Sequence, residues 1–171
     1  MMKLSDIIQS VLSSGKVCSH YEQSLRNTSN LKGVMDLLMD VNGLDWLSSN
    51  PVIGDLDLRD NILSLCPAFV NGRYTMEYKN VKGNGYTTML YVGEDEDMKI
   101  EAKSTILCLL RVHGQVFIPK NSFVEIYADT NTTVMVHIEK DASCIVNVKG
   151  KGMVLFANQP DMSRTIIQHQ P

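Results

Sequence analysis

Three residues of this 171-residue chain have the side chains that a metal site on a β-sheet would require: His113, His137 and Glu139. In the stretch TVMVHIE, residues 133–139, alternation places Val134, Val136 and Ile138 on one face and Met135, His137 and Glu139 on the other. An imidazole and a carboxylate on one face, joined by a histidine from a neighbouring strand, would supply the nitrogen and oxygen donors that zinc-type ions take. No H-x-H pair accompanies them. A single strand histidine ordinarily serves at a surface or interface, so neither a metal nor any other cofactor is expected.

Two glycine-lysine segments raise the question of phosphate. NVKGNG (80–85) and NVKGKG (147–152) resemble each other, but a P-loop needs G-x-x-x-x-G-K-[ST] opening a helix, so that backbone N–H groups meet the phosphate. Both segments instead lie between period-two runs, where their glycines supply the positive φ of tight turns. They are read as hairpin corners, with Lys82, Lys149 and Lys151 as loop-tip charges within reach of a partner. The acidic run Glu94–Asp97 lacks the alternating ligands and fixed glycine of a calcium loop and reads as a solvated turn. Asp55, Asp57 and Asp60 stand where helix capping would use them. Cys18, Cys66, Cys108 and Cys144 are dispersed without a C-x-x-C pair, which argues against a cysteine zinc site and for a reduced protein. No G-x-S-x-G elbow and no cysteine-protease signature is present, so a non-enzymatic role is expected.

The elements that must position these residues fall into two parts. Leu4, Ile7, Ile8, Val11 and Leu12 recur at helical spacing ahead of Gly15. Leu31, Val34, Met35 and Leu38 mark a second helix beginning near Ser29 or Asn30, with a break expected at Asn42-Gly43. A further turn presents Trp46, the only tryptophan, and a third helix is expected in LRDNILSLC, before Pro67. Leu37, Met39 and Trp46 are the candidate docking residues of this helical part.

From residue 72 the apolar period becomes two. RYTMEYK, YTTMLYV, MKIEA, TILCLLRV, QVFIP, FVEIYA, TVMVHIE, CIVNVK and MVLFA follow one another, most starting nine to twelve residues apart. That spacing predicts an α+β protein: a helical segment over 1–66, then a β domain over 67–171 built as an antiparallel sandwich or jelly roll. A β-solenoid is the alternative, against which no fixed coil-length repeat is evident. TILCLLRV is apolar on both faces and should be a central strand covered on both sides, with the helical segment as one cover. Among the aromatics, Tyr74, Tyr78, Tyr86, Tyr91, Phe117, Phe123 and Tyr127 are candidates for sugar-stacking platforms or for the core.

Composition limits the partners. The net charge of −3 offers no general attraction to phosphate backbones, and no direct nucleic-acid binding is expected. Asp6, Gln9 and Ser10 interrupt any signal-peptide core at the amino end, and no window is apolar enough to span a membrane, so cytoplasmic synthesis is expected. Ten methionines suit adaptable contacts with partners.

Two stretches, LKGVMDLLMDVNGLDWL and FVNGRYTMEYKNVKGNGYTTMLYV, resemble small proteins encoded among the structural genes of tailed bacteriophages and prophages, a likeness covering residues 30 to 130. The resemblance carries no catalytic residues. It implies a head or tail accessory or fibre-associated subunit that forms homo-oligomers or docks to other virion proteins. A carbohydrate-binding or adhesin module is the alternative.

Overall fold

The computed structural model describes residues 3–39, 41–50, 73–79, 85–93, 97–103 and 105–171. Among the described residues four helices come first: α1 (Leu4–Ser14), α2 (Ser19–Arg26), α3 (Leu31–Leu38) and α4 (Val41–Ser49). α1 buries Ile7, Ile8 and Val11 along the expected stripe. Lys3 precedes it, and the Lys3 backbone N–H donates to the Asp6 carboxylate at 2.9 Å. Asn30 caps α3, its side-chain oxygen accepting from the Gly33 N–H at 2.9 Å. α4 runs through Asn42-Gly43, where the sequence suggested a break. A Cβ at Gly43 would stand 2.4 Å from the Leu38 carbonyl oxygen, so glycine allows α4 to begin against the end of α3. The third expected helix and the boundary at residues 66 and 67 lie outside the described residues.

Ten strands follow among the described residues: β1 (Arg73–Lys79), β2 (Gly85–Val92), β3 (Asp97–Glu101), β4 (Thr105–Leu110), β5 (His113–Ile118), β6 (Phe123–Ala128), β7 (Thr133–Ile138), β8 (Ser143–Lys149), β9 (Met153–Phe156) and β10 (Thr165–Gln170). They form a six-stranded sheet A, in the order β1, β2, β4, β6, β8, β10, and a four-stranded sheet B, in the order β3, β5, β7, β9. The class is α+β, as expected, but the antiparallel sandwich or jelly roll is not what forms. β1 and β2 make one antiparallel hairpin, and every other pairing is parallel. From β2 onward successive strands alternate between the two sheets, so the chain winds as a β-solenoid.

Ten-residue half-coils set the winding. β5, β6, β7, β8 and β9 start at His113, Phe123, Thr133, Ser143 and Met153, and Phe123 pairs with Ser143 while Thr133 pairs with Met153. Each strand therefore meets the one a full coil later instead of its sequence neighbour. Within each half-coil the second, fourth and sixth positions point inward: Val116 and Ile118, Val124 and Ile126, Val134, Val136 and Ile138, Cys144, Val146 and Val148 are all buried in one cluster. Burying each such aliphatic chain contributes about 1.5–3 kcal/mol. The residue just ahead of each strand is also buried: Val112, Ser122, Thr132, Ala142 and Gly152.

The corners between sheets turn on residues with positive φ, at Arg111 (53°), Asn121 (59°), Asp141 (64°) and Gly150 (53°). The second NVKG segment is thus a solenoid corner between β8 and β9, not a hairpin, because those two strands lie in different sheets. The first does join β1 to β2 in a hairpin, although residues 80–84 themselves lie outside the described residues.

Sheet A separates two cores. Leu107 and Leu109 of β4 face the solenoid interior, whereas Cys108 and Leu110 belong to the cluster formed with Ile7, Val11, Leu25, Val34, Met35, Met39, Leu44 and Leu47 of the helices, with Ile106 packed against it. α4 lies against β4 and β6. The two-faced apolar pattern of TILCLLRV is therefore a strand covered on both sides, with helices as one cover.

The corner at Gly152 yields a stability prediction. A Cβ there would stand 2.4 Å from the Asp129 carbonyl oxygen and 3.1 Å from that of Lys149, both backbone atoms that cannot swing away. Gly152→Ala should destabilise by about 1–3 kcal/mol, read as a lowered midpoint in thermal unfolding followed by circular dichroism. Lys151→Ala, at the neighbouring exposed position, should change stability by no more than about 0.5 kcal/mol.

Candidate functional site

The outward faces of the two sheets have opposite fates. Helices cover sheet A over its first strands, while the outer face of sheet B carries no layer of the described chain. Parallel register arranges its side chains in columns along the solenoid axis. His113, Thr133 and Met153 form one column, Lys99, Gln115, Met135 and Leu155 a second, and Glu101, Phe117 and His137 a third. Four large apolar side chains stand open to solvent there: Phe117 is 36% exposed, Met135 42%, Met153 50% and Leu155 52%.

The third column is the most organised. The Phe117 and His137 rings stack with centroids 4.5 Å apart and an interplanar angle of 8°. The His137 Nε2 lies 2.8 Å from the Gln115 side-chain oxygen, which fixes the ring's orientation from the adjacent column. Glu139 accepts a hydrogen bond from the Lys120 backbone N–H at 3.0 Å. Asn158 extends the sheet through its side chain, accepting from the Ile138 N–H at 3.1 Å and donating to the Ile138 carbonyl at 2.6 Å. Lys99, Glu101, Phe117, His137, Glu139 and Asn158 border one shallow depression. Chemically this is a rigid face with a stacked pair of rings, an apolar flank and a rim bearing both signs of charge.

The sequence-predicted residues are distributed differently from expectation. His113 and His137 sit in different columns, and among the described residues no group of three or more His, Cys, Asp or Glu side chains could hold a metal ion. Met39 is completely buried beneath the helices, and Leu37 and Trp46 are partly buried against the same core. Trp46 also donates its indole N–H to the Lys16 carbonyl at 3.2 Å. Met39 therefore builds the helical layer and offers no surface to a partner, whereas Leu37 and Trp46 keep part of theirs exposed. Lys149 ends β8 and is nearly buried, paired at 2.7 Å with Asp45 of α4 and hydrogen-bonded to Gln170, which removes it from the loop-contact set. Lys151 is exposed in the corner, and Lys82 lies outside the described residues. Of the aromatics, Tyr74, Tyr91 and Tyr127 are buried, while Tyr86, Phe117 and Phe123 are exposed.

Sequence reasoning missed the pairing of Phe117 with His137. They lie twenty residues apart, so the ten-residue spacing of the strands was the signal that could have placed them on one column.

No described helix is long and apolar enough to cross a membrane. Comparison with protein-family models, curated proteins and solved structures finds no match.

Burial governs the cysteines. Desolvation pushes the Cys108 thiol well above its usual range, reinforced by the nearby Asp129 and Asp45 carboxylates. Desolvation alone pushes Cys144 up to about 12. Cys18 is exposed. In native protein a maleimide should label Cys18 rapidly and leave Cys108 and Cys144 unmodified until denaturant is added, as read by peptide mass spectrometry.

The same shifts set an alkaline limit. An unfolded cysteine ionises near 9.0, whereas folded Cys144 keeps its proton to about 12. The stabilisation is present below pH 9 and is lost as pH rises toward 12, because only the unfolded state releases the proton. Thermal midpoints should fall above pH 9, and Cys144→Val should flatten that fall without abolishing it, since Cys108 and Tyr127 shift in the same direction.

Proposed function

We propose that this chain is a non-enzymatic structural subunit that self-associates through the outer face of sheet B, in the setting of a phage-type virion assembly. One observation carries the reading: Phe117, Met135, Met153 and Leu155 stand exposed on three adjacent strands of one sheet face, whereas the helices cover sheet A over β1, β2 and β4 and part of β6. Contiguous exposed apolar surface rimmed by charge is the usual mark of an interaction site. Methionines at its centre adapt to a facing surface.

A second copy suits this face. Lys99 lies beside Glu101 on β3, and Glu139 borders the same depression, so a two-fold-related copy can set lysine against carboxylate around an apolar centre. The virion setting is supported by the resemblance of LKGVMDLLMDVNGLDWL and FVNGRYTMEYKNVKGNGYTTMLYV to phage structural-gene products. The net charge of −3 agrees with a protein partner in preference to nucleic acid.

Size-exclusion chromatography with light scattering tests the reading. Purified protein at micromolar concentration should run as a dimer or larger closed oligomer. The double substitution Met135→Glu and Leu155→Glu should yield monomers with an unchanged circular dichroism spectrum. A monomeric parent protein, or an oligomer that the double substitution leaves intact, would overturn it. A monomer that binds a glycan array would assign the same face to a saccharide instead.

A further inference from the structure

The helical layer carries a half-open cavity that self-association does not use. It measures about 210 Å³ and is walled by Val11, Leu25, Leu38 and the Trp46 ring, with Lys16 and Cys18 at its edge. Val11 and Leu25 are fully buried and Leu38 nearly so, which fixes three walls by core packing. The fourth wall is held by the Trp46 indole N–H, bonded to the Lys16 carbonyl. The space is therefore built into the layer.

Size and chemistry narrow what it takes. An apolar cavity of about 150 Å³ stays dry and accepts a benzene-sized guest, because water finds no polar partners on such walls. This cavity is larger and its wall is mainly apolar, with Tyr21 and Asn42 adding polar groups, so an apolar guest gains burial against Val11, Leu25, Leu38 and Trp46. Lys16 is the one cation on its border, is exposed, and forms no ion pair among the described residues. We infer that the cavity is a binding site for a small apolar carboxylic acid, its hydrocarbon body against Leu25, Leu38 and Trp46 and its carboxylate toward the Lys16 ammonium.

Trp46 is the only tryptophan of the chain, so its emission reports directly on the site. Titration of the full chain with sodium octanoate should give a saturable change in Trp46 emission and a raised thermal midpoint. 1-Octanol, of similar shape without the charge, should bind more weakly. Lys16→Gln should weaken octanoate binding about tenfold, the loss of one charge-assisted contact, and leave 1-octanol unchanged. Val17→Phe, which adds a ring at the cavity border, should abolish both responses while circular dichroism shows the helices intact. No saturable response to either probe, or binding that survives Val17→Phe, would overturn the site. Octanoate binding unaffected by Lys16→Gln would overturn its assignment to carboxylates.

Discussion

β4 is apolar on both faces, and the rest of the structure depends on satisfying that constraint. Leu107 and Leu109 must be removed from water on one side and Cys108 and Leu110 on the other. Coiling the chain covers the first side, because parallel half-coils bring sheet B beneath sheet A. Only a second layer covers the other, and α1 to α4 supply it. Polar tethers fix that layer in place: the Tyr74 hydroxyl donates to Asp36 of α3 at 2.6 Å, the Cys108 thiol approaches the Leu44 carbonyl at 3.5 Å, and Lys149 pairs with Asp45. The helices are thus a structural cover of the solenoid, which explains why Met39 is fully buried and Trp46 packs against the same core.

The asymmetry between the sheets follows from the same economy of covering. The four helices of the described residues lie on sheet A and cover its first strands. Sheet B is left with a flat, periodic face whose side chains repeat along the solenoid axis, one per coil. Such a face is rigid, because every outward position is held by an inward neighbour packed in the interior. Stacked Phe117 and His137 and the methionine flank give it shape.

Much of this was legible in the sequence. The stripe Leu4, Ile7, Ile8, Val11 predicts α1, the period-two runs predict the strands, and the double-sided apolarity of TILCLLRV predicts its two covers. The topology was not legible from alternation alone. Ten-residue spacing with turn residues between suits a hairpin meander and a half-coil equally, since each needs a strand of about six residues and a tight corner. What distinguishes them is the small or apolar residue buried before each strand, Val112, Ser122, Thr132, Ala142 and Gly152, which keeps to the period while changing its identity at every step. Positive φ at Asn121 and Asp141 is a further quiet mark, because asparagine and aspartate tolerate that conformation and also occur in ordinary turns. The candidate face was harder still to read. Exposure of Phe117 and burial of Lys149 depend on which side of a strand faces the helices, and that follows only once the sheets are assigned.

Hydrogen exchange followed by mass spectrometry tests most directly whether the helical layer and sheet A form one cooperative structure. If the layer is the obligatory cover of β4, amides of α3, α4 and β4 should open together, with matching protection across a denaturant series. Helices that exchange through an independent, low-energy opening while β4 stays protected would contradict the account, because the outer face of sheet A would then persist without its cover.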